Sequence, residues 1–431
     1  MLFCIPRALE KPAAPVYTQR KLSGDDRMKD VAERFINYCR MDSQSTDADV
    51  IPSTKEQFKI AELLRDELLE MGASNVRLDA EHAYVYAEIP ANTEKPVPAV
   101  GFISHFDTSP AVPASGVTPV RRVYEGGDLD IGEGCVLTQK DFPRLADFVG
   151  KELITTDGRT LLGADDKAGV AEIMDAAARL LADPSIKHGK VCIGFTPDEE
   201  VGHGADLFDV EGFGADYAYT VDGGWLGEIE YENFNAANAT LKVQGRSTHP
   251  GAAKGSMKNA LLMWAEFQAL LPAGENPMYT EGYEGFYHPD EIHGACDAVT
   301  VDYIIRDHDR EKFEAKKLFF KNAAAFMNEK YGAGSFTVDM ADSYYNMREM
   351  IEPHMEVVEI AKRAMRNCGI EPRTSPIRGG TDGARLSYMG LPCPNICTGG
   401  FGFHSRFEFI PTFALTEVSN IILEIIRLSA E

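Results

Sequence analysis

The sequence predicts an α/β fold: a mostly parallel central sheet covered by helices, interrupted by a smaller α+β domain. Three observations carry this reading. From Met28 onward, short apolar runs alternate with amphipathic helical segments, the order that builds a parallel sheet with helices on its faces. Near Glu232 the rhythm changes to strands grouped around two helices. After about residue 346 the first rhythm returns, so one domain is expected inside another. The expected boundaries are 28–233 plus 346–431 for the sheet domain and 234–345 for the inserted lid or dimerisation domain. Residues 1–27, rich in Pro, Lys and Arg, read as a disordered extension or an upstream start with no part in chemistry.

Each element has a local reason. Val31, Phe35, Ile36 and Cys39 fall at helical spacing in 28–40, as do Phe58, Ala61, Leu64, Leu68 and Met71 in 55–72. NVRLD (75–79), AYVYAEI (83–89) and AVGFIS (99–104) read as strands. The segment 168–183 places Val170, Ile173, Met174, Ala177 and Leu181 on one side of a helix, followed by strands VCIGFT (191–196) and YAYTV (217–221). In the insertion, strands are expected at 239–245, 298–307 and 335–341, with helices at 258–271 and 309–329. Helices over 354–367 and 414–429 then flank the apolar run 391–400.

Composition narrows the function. A chain of 431 residues with 44% hydrophobic and 26% charged residues is long enough for two domains and is of soluble globular type. A formal net charge of −24 argues against nucleic acid, whose phosphates demand clustered Lys and Arg, and suits a cationic group such as a free peptide amine. No apolar run is long enough to span a bilayer, and the first 27 residues lack a signal-peptide core. The eight cysteines form no CxxC pair and read as reduced thiols, so a cytoplasmic location is expected.

The chemistry is concentrated at strand ends. His105, Asp165, Glu200, Asp222 and His404 each sit where a strand or its loop would open onto the crevice of an α/β sheet. Two imidazoles and three carboxylates suit zinc, and Glu199 beside Glu200 offers a carboxylate to activate water. His105 and Asp107 share one side of an extended segment, so Asp107 can hold the second imidazole nitrogen. In GADDKAG (163–169), one aspartate suffices to cap the following helix. The second then remains to bridge two cations, with Asp165 preferred as the bridge and Asp166 as the cap or supporting partner. His288-Pro289-Asp290 repeats the His-x-Asp pattern without an apolar strand before it and reads as a solvated loop. There is no HExxH, GxSxG, Walker or GxGxxG motif to suggest other chemistry.

Taken in order, ITTDGRTLLGADDKAGVAEIM (154–174), GFTPDEEVGHGA (194–205), YTVDGG (219–224), HPGAAKG (249–255), TEGYEGFYH (280–288) and PIRGGTDGARLS (376–387) resemble the co-catalytic dizinc exopeptidases. That family includes aminoacylases and glutamate carboxypeptidases, and the nearer match is to its tripeptide-cleaving aminopeptidases. The likeness runs from Met28 to the C-terminus and departs only in details such as Phe106. It implies His105 and Asp222 on one zinc, Glu200 and His404 on the other, and Asp165 between them. It further implies Asp107 orienting His105, Glu199 as general base, His249 polarising the scissile carbonyl, and Arg306 and Arg378 on the peptide's C-terminal carboxylate.

The activity so implied is release of the N-terminal residue from tripeptides by water activated between two Zn2+ ions, with Co2+ or Mn2+ as substitutes. An N-acyl amino acid deacylase or a carboxypeptidase would use the same metals and is the alternative. Expected partners are small peptides, with no nucleic acid and no membrane, and a homodimer paired through the inserted domain.

Overall fold

The computed structural model describes residues 30–431, so the expected extension 1–27 lies outside the described residues. The chain divides into two compact units. The first runs to Ile229 and takes in His354–Arg373 and Pro394–Glu431; the second is Glu230–Pro353 with Thr374–Cys393.

An eight-stranded sheet organises the first unit. Its order is Ser74–Leu78, Val85–Ile89, Val191–Thr196, Val100–His105, Tyr217–Gly223 and Asn395–Cys397, ending in the short strands Glu228–Glu230 and Arg373–Thr374. The first two strands are antiparallel additions, whereas the next four run parallel. Every residue of Val100–His105 and of Val191–Thr196 is buried, because parallel strands are covered on both faces. A Cβ on Gly101 would lie 2.5 Å from the Phe213 ring, so glycine there admits the aromatic cover. The helices Val31–Cys39, Ala164–Ala182 and Thr412–Ser429 pack together against this sheet. The α/β class with a mostly parallel sheet is therefore as the sequence predicts.

A smaller sheet in the same unit was not legible in the sequence. Phe409–Pro411 pairs antiparallel with Glu152–Thr155, which pairs with Val120–Val123. Tyr124, Leu137, Leu145, Leu153 and Phe409 form its apolar core. This sheet fixes both the chain entering the GADDKAG loop and the chain leaving His404.

The second unit holds a four-stranded antiparallel sheet, ordered Phe286–Gly294, Ala298–Asp307, Asn235–Gln244, Phe336–Tyr344. Val299, Val301, Tyr303 and Ile305 alternate into a core with Phe267 and Phe320 from the helices Ala260–Gln268 and Arg310–Tyr331. One expectation needs correction here. His288, Pro289 and Asp290 lie in the edge strand Phe286–Gly294 and not in a loop. Proline is tolerated there because an edge strand leaves one row of backbone groups unpaired. Among the described residues, no helix is long and apolar enough to cross a membrane.

Candidate metal centre

All five proposed ligands lie in the first unit, at the carboxyl ends of its central strands or in the loops that follow. His105 ends Val100–His105, and Asp222 is the penultimate residue of Tyr217–Gly223. Glu199 and Glu200 form a single helical turn just beyond Val191–Thr196. Asp165 stands in the first turn of Ala164–Ala182, where both it and Asp166 depart from helical backbone and are joined by a cis peptide. His404 follows Asn395–Cys397 in a loop and has a left-handed φ of 58°. Such a conformation in a non-glycine residue costs about 1–3 kcal/mol and concentrates at working loops.

The parallel register makes these ends converge: His105 lies beside Thr196, and Ile103 lies between Gly194 and Thr220. Gly169 allows the helix to approach, since a Cβ there would sit 1.9 Å from the Val221 carbonyl oxygen. Side chains meet around Asp165. Its Oδ1 is 3.0 Å from His105 Nε2 and its Oδ2 is 3.1 Å from His404 Nε2. Asp222 Oδ1 lies 3.7 Å from His105 Nε2, and Glu200 Oε2 lies 2.9 Å from His404 Nε2. One carboxylate thus stands between two imidazoles, each with a further carboxylate beside it. Glu199 Oε2 reaches to 3.9 Å from His105 Nε2.

The donor set fits cations better than it fits itself. Glu200 Oε1 is buried with no hydrogen-bond partner, a costly arrangement for a carboxylate unless a cation takes it up. Burial, followed by the charge of Asp165, pushes the Glu200 carboxyl up to about 7. Burial also raises Asp222. Hydrogen bonds that His404 donates to Asp165 and Glu200 raise it to about 11. Burial opposes charge on His105, but Asp107, Asp165 and Asp222 outweigh it and hold its pKa well above the ordinary value. These shifts favour protons on the imidazoles, with which a cation entering the site would compete. Metal affinity should accordingly fall with acidification, by about tenfold per pH unit for each proton displaced. Chelator competition between about pH 6 and pH 8 measures this, and a flat profile would contradict it.

A supporting layer holds these groups. Asp107 is fully buried; its Oδ1 is 3.2 Å from His105 Nδ1, and its two oxygens accept from Glu199 N at 3.0 Å and Glu200 N at 3.3 Å. It fixes an imidazole and the acidic turn together. Asp166 accepts from Ser104 Oγ, His105 N and Gly169 N, so it both caps the helix and supports the His105 strand. Asp198 accepts from Ser53 N, Ser53 Oγ and Gln57 Nε2, tying the acidic turn to the start of the Gln57–Met71 helix.

Two participants were missed in the sequence. Glu408 is buried and accepts from three backbone N–H groups of the GADDKAG approach. Lys167 is buried and donates from Nζ to the Met41 carbonyl. The FEF setting of Glu408, an acid enclosed by aromatics beside a ligand histidine, was the available signal.

The three proposed substrate-binding residues lie in the second unit, apart in sequence from the ligand set. His249 Nδ1 accepts from Gly251 N at 3.2 Å and caps a short turn. Arg306 donates to the carbonyls of Ala237 and Ile305. Arg378 donates to Thr280 Oγ1 and to the Gly282 and Glu284 carbonyls, with its guanidinium 5.0 Å from the Phe234 ring centre.

The chain is similar to known peptidases along most of its length. Residues 154–428 match the sequence model of peptidase family M20/M25/M40. Peptidase T of Clostridium acetobutylicum is 52% identical over 94% of this chain and all of its own length. Peptidase T of a Geobacillus species is 53% identical over 93% of this chain and 98% of its own. The crystal structure of aminopeptidase PepT from Bacillus cereus superposes with a TM-score of 0.75 at 26% identity, covering 94% of this chain and 99% of that one.

Proposed function

The chain belongs to peptidase family M20/M25/M40, and on that premise we propose that it is a metal-dependent aminopeptidase releasing the N-terminal residue of tripeptides. The observation that carries the reading is Asp165, whose two oxygens each face one histidine at 3.0 and 3.1 Å. In this reading His105 and Asp222 hold one ion, His404 and Glu200 hold the other, and Asp165 bridges them. Zinc is the metal assigned, because mixed imidazole and carboxylate donors suit it, while Co2+ and Mn2+ would also be accepted.

Two divalent cations held by these residues would supply Lewis-acid polarisation and acidify water at neutral pH. Glu199 would take a proton from the attacking water and return it to the departing amine. Asp107 keeps His105 in one tautomer and fixes the turn that presents Glu199. His249 is proposed to polarise the carbonyl oxygen, and Arg306 and Arg378 to receive the C-terminal carboxylate through the planar guanidinium fork. A cytoplasmic location and a homodimer belong to the same proposal. Leu262, Leu318 and Phe326, exposed on the helices of the second unit, support pairing there, and sedimentation would test it.

The discriminating experiment is hydrolysis of Ala-Ala-Ala beside its dipeptide, tetrapeptide and N-acetylated counterparts, after chelation and again after zinc is restored. Activity lost on chelation, regained with zinc and confined to the unblocked tripeptide is expected. Equal rates across lengths would remove the tripeptide assignment. Preference for the acetylated peptide would transfer the site to a deacylase.

A further inference from the structure

We infer that Glu408 is a positioning residue: it clamps the loop carrying Asp165 to the segment carrying His404 and so sets the spacing of the two metal positions. This rests on the dimetal reading above but not on the choice of substrate.

The geometry is specific. Glu408 Oε2 accepts from Leu162 N at 2.6 Å and Gly163 N at 2.7 Å, while Oε1 accepts from Asp165 N at 3.1 Å. Gly163 caps the Ala164–Ala182 helix with a left-handed φ of 84° and has no side chain to satisfy the helix's first N–H groups. Asp166 caps the regular helix through Gly169 N, and the N–H groups of the approach to it are met by a carboxylate 245 residues away in sequence. That carboxylate lies four positions after His404 and immediately before Phe409–Pro411. That strand pairs with Glu152–Thr155, which feeds the same loop, with Phe409 opposite Thr155. Both ends of the clamp are thus anchored on one small sheet, and the bridging carboxylate is held by its own backbone N–H. Lys167, one turn into the helix, is buried and donates from Nζ to the Met41 carbonyl.

An amide could not serve here. Three N–H donors converge on two oxygens that must both accept, and the NH2 of glutamine would oppose one set. Loss of the clamp should let Asp165 drift against His404, as happens when groups that orient metal ligands are removed.

The test uses the full chain, stripped of metal and titrated with Co2+, whose visible absorption reports ligand geometry. E408Q should bind Co2+ at least about tenfold more weakly and with an altered spectrum. At saturating metal its kcat should fall while KM for Ala-Ala-Ala stays near that of the parent. V418A, a packing change in the buried face of Thr412–Ser429, serves as the control for lost stability and should keep the parent spectrum. If E408Q does not fold, E408D carries the same readouts with the charge kept and the reach shortened. Parental affinity and spectrum in the variant, or changes no greater than in V418A, would overturn the assignment. Failure of both variants to fold would overturn it too, reducing Glu408 to a folding requirement. A parent chain that bound no Co2+ would instead overturn the dimetal reading itself.

Discussion

Glu199→Ala should all but remove turnover and leave both proposed metal positions intact. Glu199 Oε2 lies 3.9 Å from His105 Nε2, farther than Asp165 at 3.0 Å and close to Asp222 at 3.7 Å. It borders the proposed ligand set, where a carboxylate would serve as base toward a water activated by bound cations. Its backbone N–H is fixed by Asp107, so the carboxylate is aimed by the same group that orients His105. Removing a positioned base costs about 10²–10⁴-fold in rate. Glu199→Gln, which keeps the shape and loses the basicity, should fall as far in kcat with KM little changed. Metal content measured alongside should remain at two ions per chain. Full activity in either variant would end the assignment of Glu199 as base.

Asp165→Ala should empty both positions. The Asp165 carboxylate is the one group that faces His105 and His404 together, and without it each position keeps one imidazole and one carboxylate. Loss of a group that merely orients a ligand costs about 10–100-fold in metal affinity, so loss of the shared ligand should exceed about 100-fold at both positions. Asp222→Ala should affect only the position beside His105, leaving about one ion per chain by elemental analysis. The contrast between these variants is the measurement. An Asp165→Ala protein still holding two ions would remove the bridge, whatever its activity.

The ligand types were legible because each carries a local signature: His105 ends an apolar strand, and Asp222 precedes a pair of glycines. The mostly parallel sheet was legible for the same reason, since strands buried on both faces read as unbroken apolar runs. The small sheet through Phe409–Pro411 was not, because its strands of three and four residues are too short to display a period. Pro289 obscured the edge strand for a related reason, since proline argues against a strand unless its edge position is known.

What the sequence by itself determined is where apolar periodicity places strands and helices, together with the proposed ligand set and the proposed base offered by side-chain type. These follow from side-chain type and from spacings of a few residues, and both are written in the chain. Only the tertiary structure decided that Asp165 faces His404 across 239 positions, and that Glu408 accepts from backbone N–H groups 245 positions before it. Such pairings depend on strand register and on which segments a sheet brings side by side. A backbone N–H leaves no mark in the sequence, so a carboxylate that binds three of them is visible only once the chain has folded.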